Sequence, residues 1–89
     1  MSKSNLSVLS FLAETLLICK GKADWDACVG THALYGAETA SYITYIRLLV
    51  GRPHHEIEAI ALGWSKSRSE ARRGVSELVL WALDLRKTR

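Results

Sequence analysis

The stretch ETASYITYIRLLV, residues 38–50, decides how this chain folds. Tyr42, Ile43, Tyr45, Ile46 and Val50 favour a strand by propensity. Yet Thr39, Tyr42 with Ile43, Ile46, and Leu49 with Val50 also recur at the three- and four-residue spacing of a helix. We expect a helix, because no second segment of comparable strand character exists elsewhere in the chain to pair with it. Pairing with another copy would be the exception.

Upstream, Leu6, Leu9, Leu12, Ala13, Leu16 and Leu17 mark a first helix over residues 5–20, with Ser4 or Asn5 available as its cap. Val8, Phe11 and Ile18 widen its apolar face, so the helix calls for cover on more than one side. Gly21, between Lys20 and Lys22, reads as a stop. Asp24 or Asp26 can then start a short second helix through Trp25, Cys28 and Val29, and Gly30 and Gly36 loosen the chain beyond it. Downstream, Gly51 ends the deciding segment and Pro53 suits the first position of the next helix. Ile57, Ile60, Ala61 and Trp64 give that helix one apolar face, Glu56 and Glu58 sit near its positive end, and Gly63 closes it.

The last helix is expected to start with Ser67 as cap and Glu70 as its capping-box partner, and to run to about residue 85. Its inner stripe reads Ala71, Val75, Leu78, Ala82 and Leu85. From residue 78 to residue 83 every position is apolar, LVLWAL, and a helix apolar all round has to be buried all round. Three other short helices enclose such a segment poorly, which points to a homodimer through Leu78, Leu80, Trp81, Leu83 and Leu85. The alternative is a four-helix monomer with the last helix at its centre. Trp25, Trp64 and Trp81 read as core anchors by periodicity, Trp64 being the one beside a basic turn. The expected fold is thus all-α, four to five short helices in a single domain over residues 1–89.

At 89 residues the chain buries only about two thirds of its unfolded surface, so a second copy would add welcome stability. Nearly half of it is apolar, with seven aromatics and a single proline, a composition that suits packed helices and not disorder. The formal charge of +3 is unevenly placed. Residues 1–64 carry Lys3, Lys20, Lys22, Arg47 and Arg52 against Glu14, Asp24, Asp26, Glu38, Glu56 and Glu58, a net of −1. Residues 65–89 carry Lys66, Arg68, Arg72, Arg73, Arg86, Lys87 and Arg89 against Glu70, Glu77 and Asp84, a net of +4. A local excess of this kind is what a binding footprint needs.

Within that region SKSRSEARRG, residues 65–74, crowds four cations around the start of a helix, where exposed amides already carry partial positive charge. Arg68 and Arg72 lie four apart on one edge, with Arg73 beside them and Lys66 in the lead-in. Free amides, the hydroxyls of Ser65, Ser67 and Ser69, and these cations suit a phosphate or carboxylate, and an acidic partner would offset the clash. A solvated charged face is the competing reading. Lys66, Ser67, Arg68, Arg72 and Arg73, with Trp64 at the edge and Arg47 and Arg52 as additions, form the candidate anion and partner site.

Residues 57–85, IEAIALGWSKSRSEARRGVSELVLWALDL, resemble the two-helix part of ribbon-helix-helix repressors. Gly63, Trp64, Ser65, Lys66 and Ser67 match the turn of that family. The resemblance implies a dimer core made by the second helix, a DNA phosphate at that helix's start, and a strand at about residues 46–50 that pairs with a second copy in the major groove. IRLLV there lacks the alternating polar face that reads bases, and some forty residues of apolar helix precede it.

Cys19 and Cys28 could bridge, but in a chain of this kind they read as free thiols in a reducing cytoplasm. The opening MSKSNLSVLSFLAETLLICKGKA resembles a signal peptide in layout, yet Glu14 interrupts its apolar run and Ile18 stands where lipoprotein processing wants a small residue. No run approaches the ~18 apolar residues of a membrane span. Cys28, His32, His54 and His55 lack a paired short-spacing ligand motif, so neither a metal nor another cofactor is expected. Asp24, Asp26, Glu38, Glu56 and Glu58 stand in no frame with a nucleophile, so no catalytic residue is assigned. The expectation is a small cytoplasmic regulatory protein, not an enzyme, that inhibits or modulates a larger regulator such as a transcription factor. A dimeric DNA-binding regulator is the alternative.

Overall fold

The computed structural model describes residues 3–30 and 35–88, with the side chains of residues 3–7 and of Glu38 outside that description. Five helices and no strand occur among the described residues: α1 (Lys3–Ile18), α2 (Lys22–Val29), α3 (Ala37–Leu49), α4 (His54–Trp64) and α5 (Glu70–Thr88). The deciding stretch is helical. Thr39, Ile43, Ile46, Leu49 and Val50 are buried, while Ser41, Thr44 and Leu48 face outward. Thr44 returns its hydroxyl proton to the Ala40 carbonyl at 3.0 Å, so a β-branched residue is accommodated within the helix. Residues 46–49, where the ribbon-helix-helix resemblance places a strand, belong to α3.

The helix α5 lies at the centre and packs against α1, α3 and α4, and α1 in turn covers α2 and α3. Ala61 meets Ser76 and Glu58 meets Lys87, so α4 and α5 form an antiparallel hairpin joined by residues 65–69. Fully buried Leu12, Trp25, Ile43, Ile46, Ile57 and Val79 anchor a single core drawn from all five helices, each contributing about 1.5–3 kcal/mol of burial for an aliphatic side chain. The radius of gyration is 12.1 Å, as a single folded unit of this length should have at about 12 Å.

Several boundaries differ from the sequence reading. Ser4 and Asn5 lie inside α1, which already begins at Lys3. Pro53 is not the first residue of α4 but its cap, in extended geometry with φ −60° and ψ 149°, and its carbonyl accepts from the amides of Glu56 and Ile57. Gly63 lies within α4 and does not stop it; the helix runs on to Trp64 and ends in backbone turns. The cap of α5 is Ser69, not Ser67, because the Ser69 hydroxyl accepts from the Arg72 amide at 3.3 Å and its carbonyl from the Arg73 amide at 3.1 Å. Glu70 is therefore the first helical residue, and the position three after the cap belongs to Arg72.

The phase of α5 also shifts. Its buried stripe is Val75, Ser76, Val79, Ala82 and Leu83, so Leu78 and Leu85 of the expected stripe are only half-buried. Ser76 can sit at the centre because its hydroxyl donates to the Ala61 carbonyl at 2.5 Å. Three helices thus enclose most of the all-apolar segment, and Trp81 is left outside at 43% exposure instead of anchoring the core. Phe11 and Ile18 of α1 are likewise exposed, at 45% and 65%.

Candidate partner-binding surface

The turn between α4 and α5 is folded by its own serines. The Ser65 hydroxyl donates to the Leu62 carbonyl at 2.6 Å, and the Ser67 hydroxyl accepts from the Ser69 amide at 3.1 Å. Of the three hydroxyls expected at an anion, that of Ser65 donates within the turn, whereas those of Ser67 and Ser69 serve there as acceptors. The amides of Ser67, Ser69, Arg72 and Arg73 are engaged too. Among the described residues only the Glu70 and Ala71 amides of the first turn are left without an acceptor.

The cations fare differently from one another. Arg73 donates from Nη1 to the Ser67 carbonyl at 2.8 Å and so closes the turn. The Arg72 guanidinium lies 5.3 Å from the centroid of the Tyr45 ring, and Tyr45 meets Trp64 edge to face, with centroids 5.7 Å apart and planes at 70°. Trp64 at the end of α4, Tyr45 of α3 and Arg72 of α5 therefore form one series against the basic turn, and Trp64 is half-buried there. Lys66 and Arg68 are exposed. Among the described residues no carboxylate pairs with Lys66, Arg68, Arg72 or Arg73.

Ion pairs form elsewhere. Arg47 grips Asp26 with Nε and Nη2, both at 2.9 Å, which holds the guanidinium charged and raises its pKa. Arg52 pairs with Glu56 at 3.2 Å along the chain and also donates to the Leu48 carbonyl. Both arginines are thus engaged in ion pairs of their own. Lys87 pairs with Glu58 at 2.9 Å, and that hydrogen bond raises its pKa.

A groove of about 510 Å³ begins one residue past Arg73. Leu9 and Ser10 of α1, Tyr42 of α3, and Gly74, Glu77, Leu78 and Trp81 of α5 line it. Gly74 makes room for Tyr42: a Cβ there would collide with the Tyr42 hydroxyl and lie 2.6 Å from its ring carbon Cζ. A smaller cleft of about 230 Å³ continues along the same seam, lined by Glu14, Leu17, Ile18, Ala82 and Arg86. The sequence reading missed this groove. Its signals were Gly74, a poor helix former inside α5, and the two tyrosines three apart in α3.

Of the expected pairing residues, Leu83 is 5% exposed and belongs to the chain's own core. Leu78, Leu80 and Leu85 are half-buried, and Trp81 is exposed at the groove. Among the candidate metal ligands, His32 lies outside the described residues. His54 is exposed in the first turn of α4, and its Nε2 contacts the Leu17 carbonyl at 3.1 Å, which ties α4 to α1. No group of three or more potential metal ligands occurs among the described residues. No described helix is long and apolar enough to cross a membrane. No family model, no curated protein and no solved structure matches this chain.

Proposed function

We propose that the chain is a small non-catalytic regulatory protein of the cytoplasm, which binds a larger regulator and inhibits or modulates it. One observation carries this reading: four cations, none of which has a carboxylate partner among the described residues, crowd the start of α5, and an open, mainly apolar groove with Glu77 on its wall begins at Gly74 further along the same helix. An amphipathic helix with an acidic end fits such a surface, its apolar side chains against Leu78 and Trp81 and its acids at Arg68, Arg72 and Lys66. Self-pairing draws on the same outward stripe of α5, so a second copy and the regulator compete for one surface.

The test is affinity capture from the native cell with nuclease treatment in parallel, using the wild-type chain and the Arg68→Glu, Arg72→Glu double variant. A protein held by the wild type and lost from the folded double variant supports the reading. Affinity that falls steeply and linearly on a log-log salt plot, together with loss on nuclease treatment, would identify DNA as the partner instead. Equal capture by both proteins would leave the basic turn as a solubility device and refute the site.

A further inference from the structure

The polar side chains on the wall of the groove beside Gly74 are Ser10, Tyr42 and Glu77. Among the described residues neither the two hydroxyls nor the carboxylate takes part in a hydrogen bond or an ion pair. Arg73, one turn ahead of Glu77, donates instead to the Ser67 carbonyl at 2.8 Å. Trp81 follows Glu77 by four residues, so the indole and the carboxylate are neighbours on α5, and that indole is 43% exposed. Tyr42 reaches the same place from α3, its hydroxyl standing where a Cβ on residue 74 would be. Leu9 and Leu78 complete the wall with apolar surface. A carboxylate only accepts, and the two hydroxyls can accept as well, so the groove holds three acceptors. An ammonium carries three donors and no acceptor, and a tryptophan ring attracts cations. A neutral chain laid here covers Glu77 without replacing the water it loses, and an acid is repelled.

We propose that this groove is a lysine-binding site: it takes a lysine of the docking helix, with the aliphatic stem along Leu9, Leu78 and Trp81 and the ammonium at Glu77, Tyr42 and Ser10. The lysine belongs to the regulator inferred above, so its source rests on that reading, whereas the groove's preference for a cation does not. The surface along α5 then reads in two signs, positive at Arg68 and Arg72 and negative at Glu77. Arg72 and Glu77 are five residues apart in the helix, a rise of about 7.5 Å. A partner helix lying alongside α5 therefore presents its acid and its lysine about one turn apart on one face. A helix acidic along its whole length is rejected, because it would set a second carboxylate against Glu77.

The experiment titrates the full chain, labelled with nitrogen-15, with n-pentylammonium, 1-pentanol and hexanoate at constant ionic strength. It follows the amide signals of Gly74, Glu77 and Leu78 and the indole signal of Trp81. Pentylammonium should shift these signals and bind at least about fivefold more tightly than pentanol, and hexanoate should leave them in place. Glu77→Gln should bring pentylammonium down to the level of pentanol without changing pentanol itself. Glu77 is exposed, so this variant keeps the fold, and its spectrum reports that directly. The Arg68→Glu, Arg72→Glu variant should retain the preference for the ammonium, so failure of the basic turn and failure of the groove are told apart. In the capture experiment, Glu77→Gln should lose most of the protein that the wild type holds. A groove that binds pentylammonium no better than pentanol, shifts confined to other residues, or a preference that survives in Glu77→Gln would each overturn the proposal. Full capture by Glu77→Gln would also overturn it, since the regulator would then place no lysine there.

Discussion

Reversing Arg68 and Arg72 to glutamate should abolish partner binding and at the same time make the protein more stable. Arg72 occupies the third position of α5 after the Ser69 cap, and Arg68 stands just ahead of that cap. A charge in the first turn of a helix is worth about 0.3–1 kcal/mol against the dipole, and reversal exchanges an unfavourable term for a favourable one. Glu at position 72 also creates the Ser-x-x-Glu pattern of a capping box, although the Ser67 hydroxyl already holds the Ser69 amide. Against this, the variant loses the contact between the guanidinium and the Tyr45 ring, worth about 0.5–1 kcal/mol at an exposed site. The net is a gain of about 1 kcal/mol, which for a domain of this size raises Tm by roughly 4–8 °C. Thermal and urea unfolding followed by circular dichroism should show the gain at low salt and a smaller one at high salt, where such fields are screened. A destabilised variant, or a gain indifferent to salt, would show that these cations serve the fold and would remove the reason for assigning them to a partner. Arg73→Glu is the internal contrast, since it breaks the 2.8 Å bond that closes the turn and should bring no such gain.

Trp25→Ala should destabilise by about 3–5 kcal/mol, a large share of the roughly 4–13 kcal/mol expected for the whole chain, and a urea midpoint that hardly moves would show that α2 is not anchored there. Gly51 has φ +85° with the Lys20 carbonyl 3.3 Å from where a Cβ would stand, so Gly51→Ala should cost about 1–2 kcal/mol, as read from urea unfolding. Gly63 lies in α4 facing open space, so Gly63→Ala should stabilise by about 0.5–1 kcal/mol in the same assay. The raised pKa of Cys19 means that the unfolded chain releases that proton first; stability should hold below the ordinary thiol range, fall as pH rises through it, and level off once the folded thiol titrates. A Cys19→Ala variant with the same alkaline decline would rule out Cys19 as its source. Trp81→Glu should shift any self-association seen by sedimentation to higher concentration without unfolding the chain, because that side chain lies outside the core.

Periodicity alone determined the helices of this protein. The three- and four-residue recurrence in residues 38–50 outweighed strand propensity because a helix pairs its interior backbone groups locally, whereas a lone strand has no partner. The local excess of positive charge at residues 66–73 is likewise a property of the sequence. Three things were decided by packing. Which serine caps α5 depended on how the turn closes, and Ser69 won because Ser67 was taken up in bracing the turn itself. Which face of α5 is buried depended on where α1, α3 and α4 approach, and a segment apolar on every side carries no mark of its own phase; hence Leu83 went inside and Trp81 outside. Which cations keep their charge unpaired depended on residues distant in the chain: Asp26 reaches Arg47 and Glu58 reaches Lys87 only because the helices bring them together, while among the described residues no carboxylate is paired with Arg68 or Arg72.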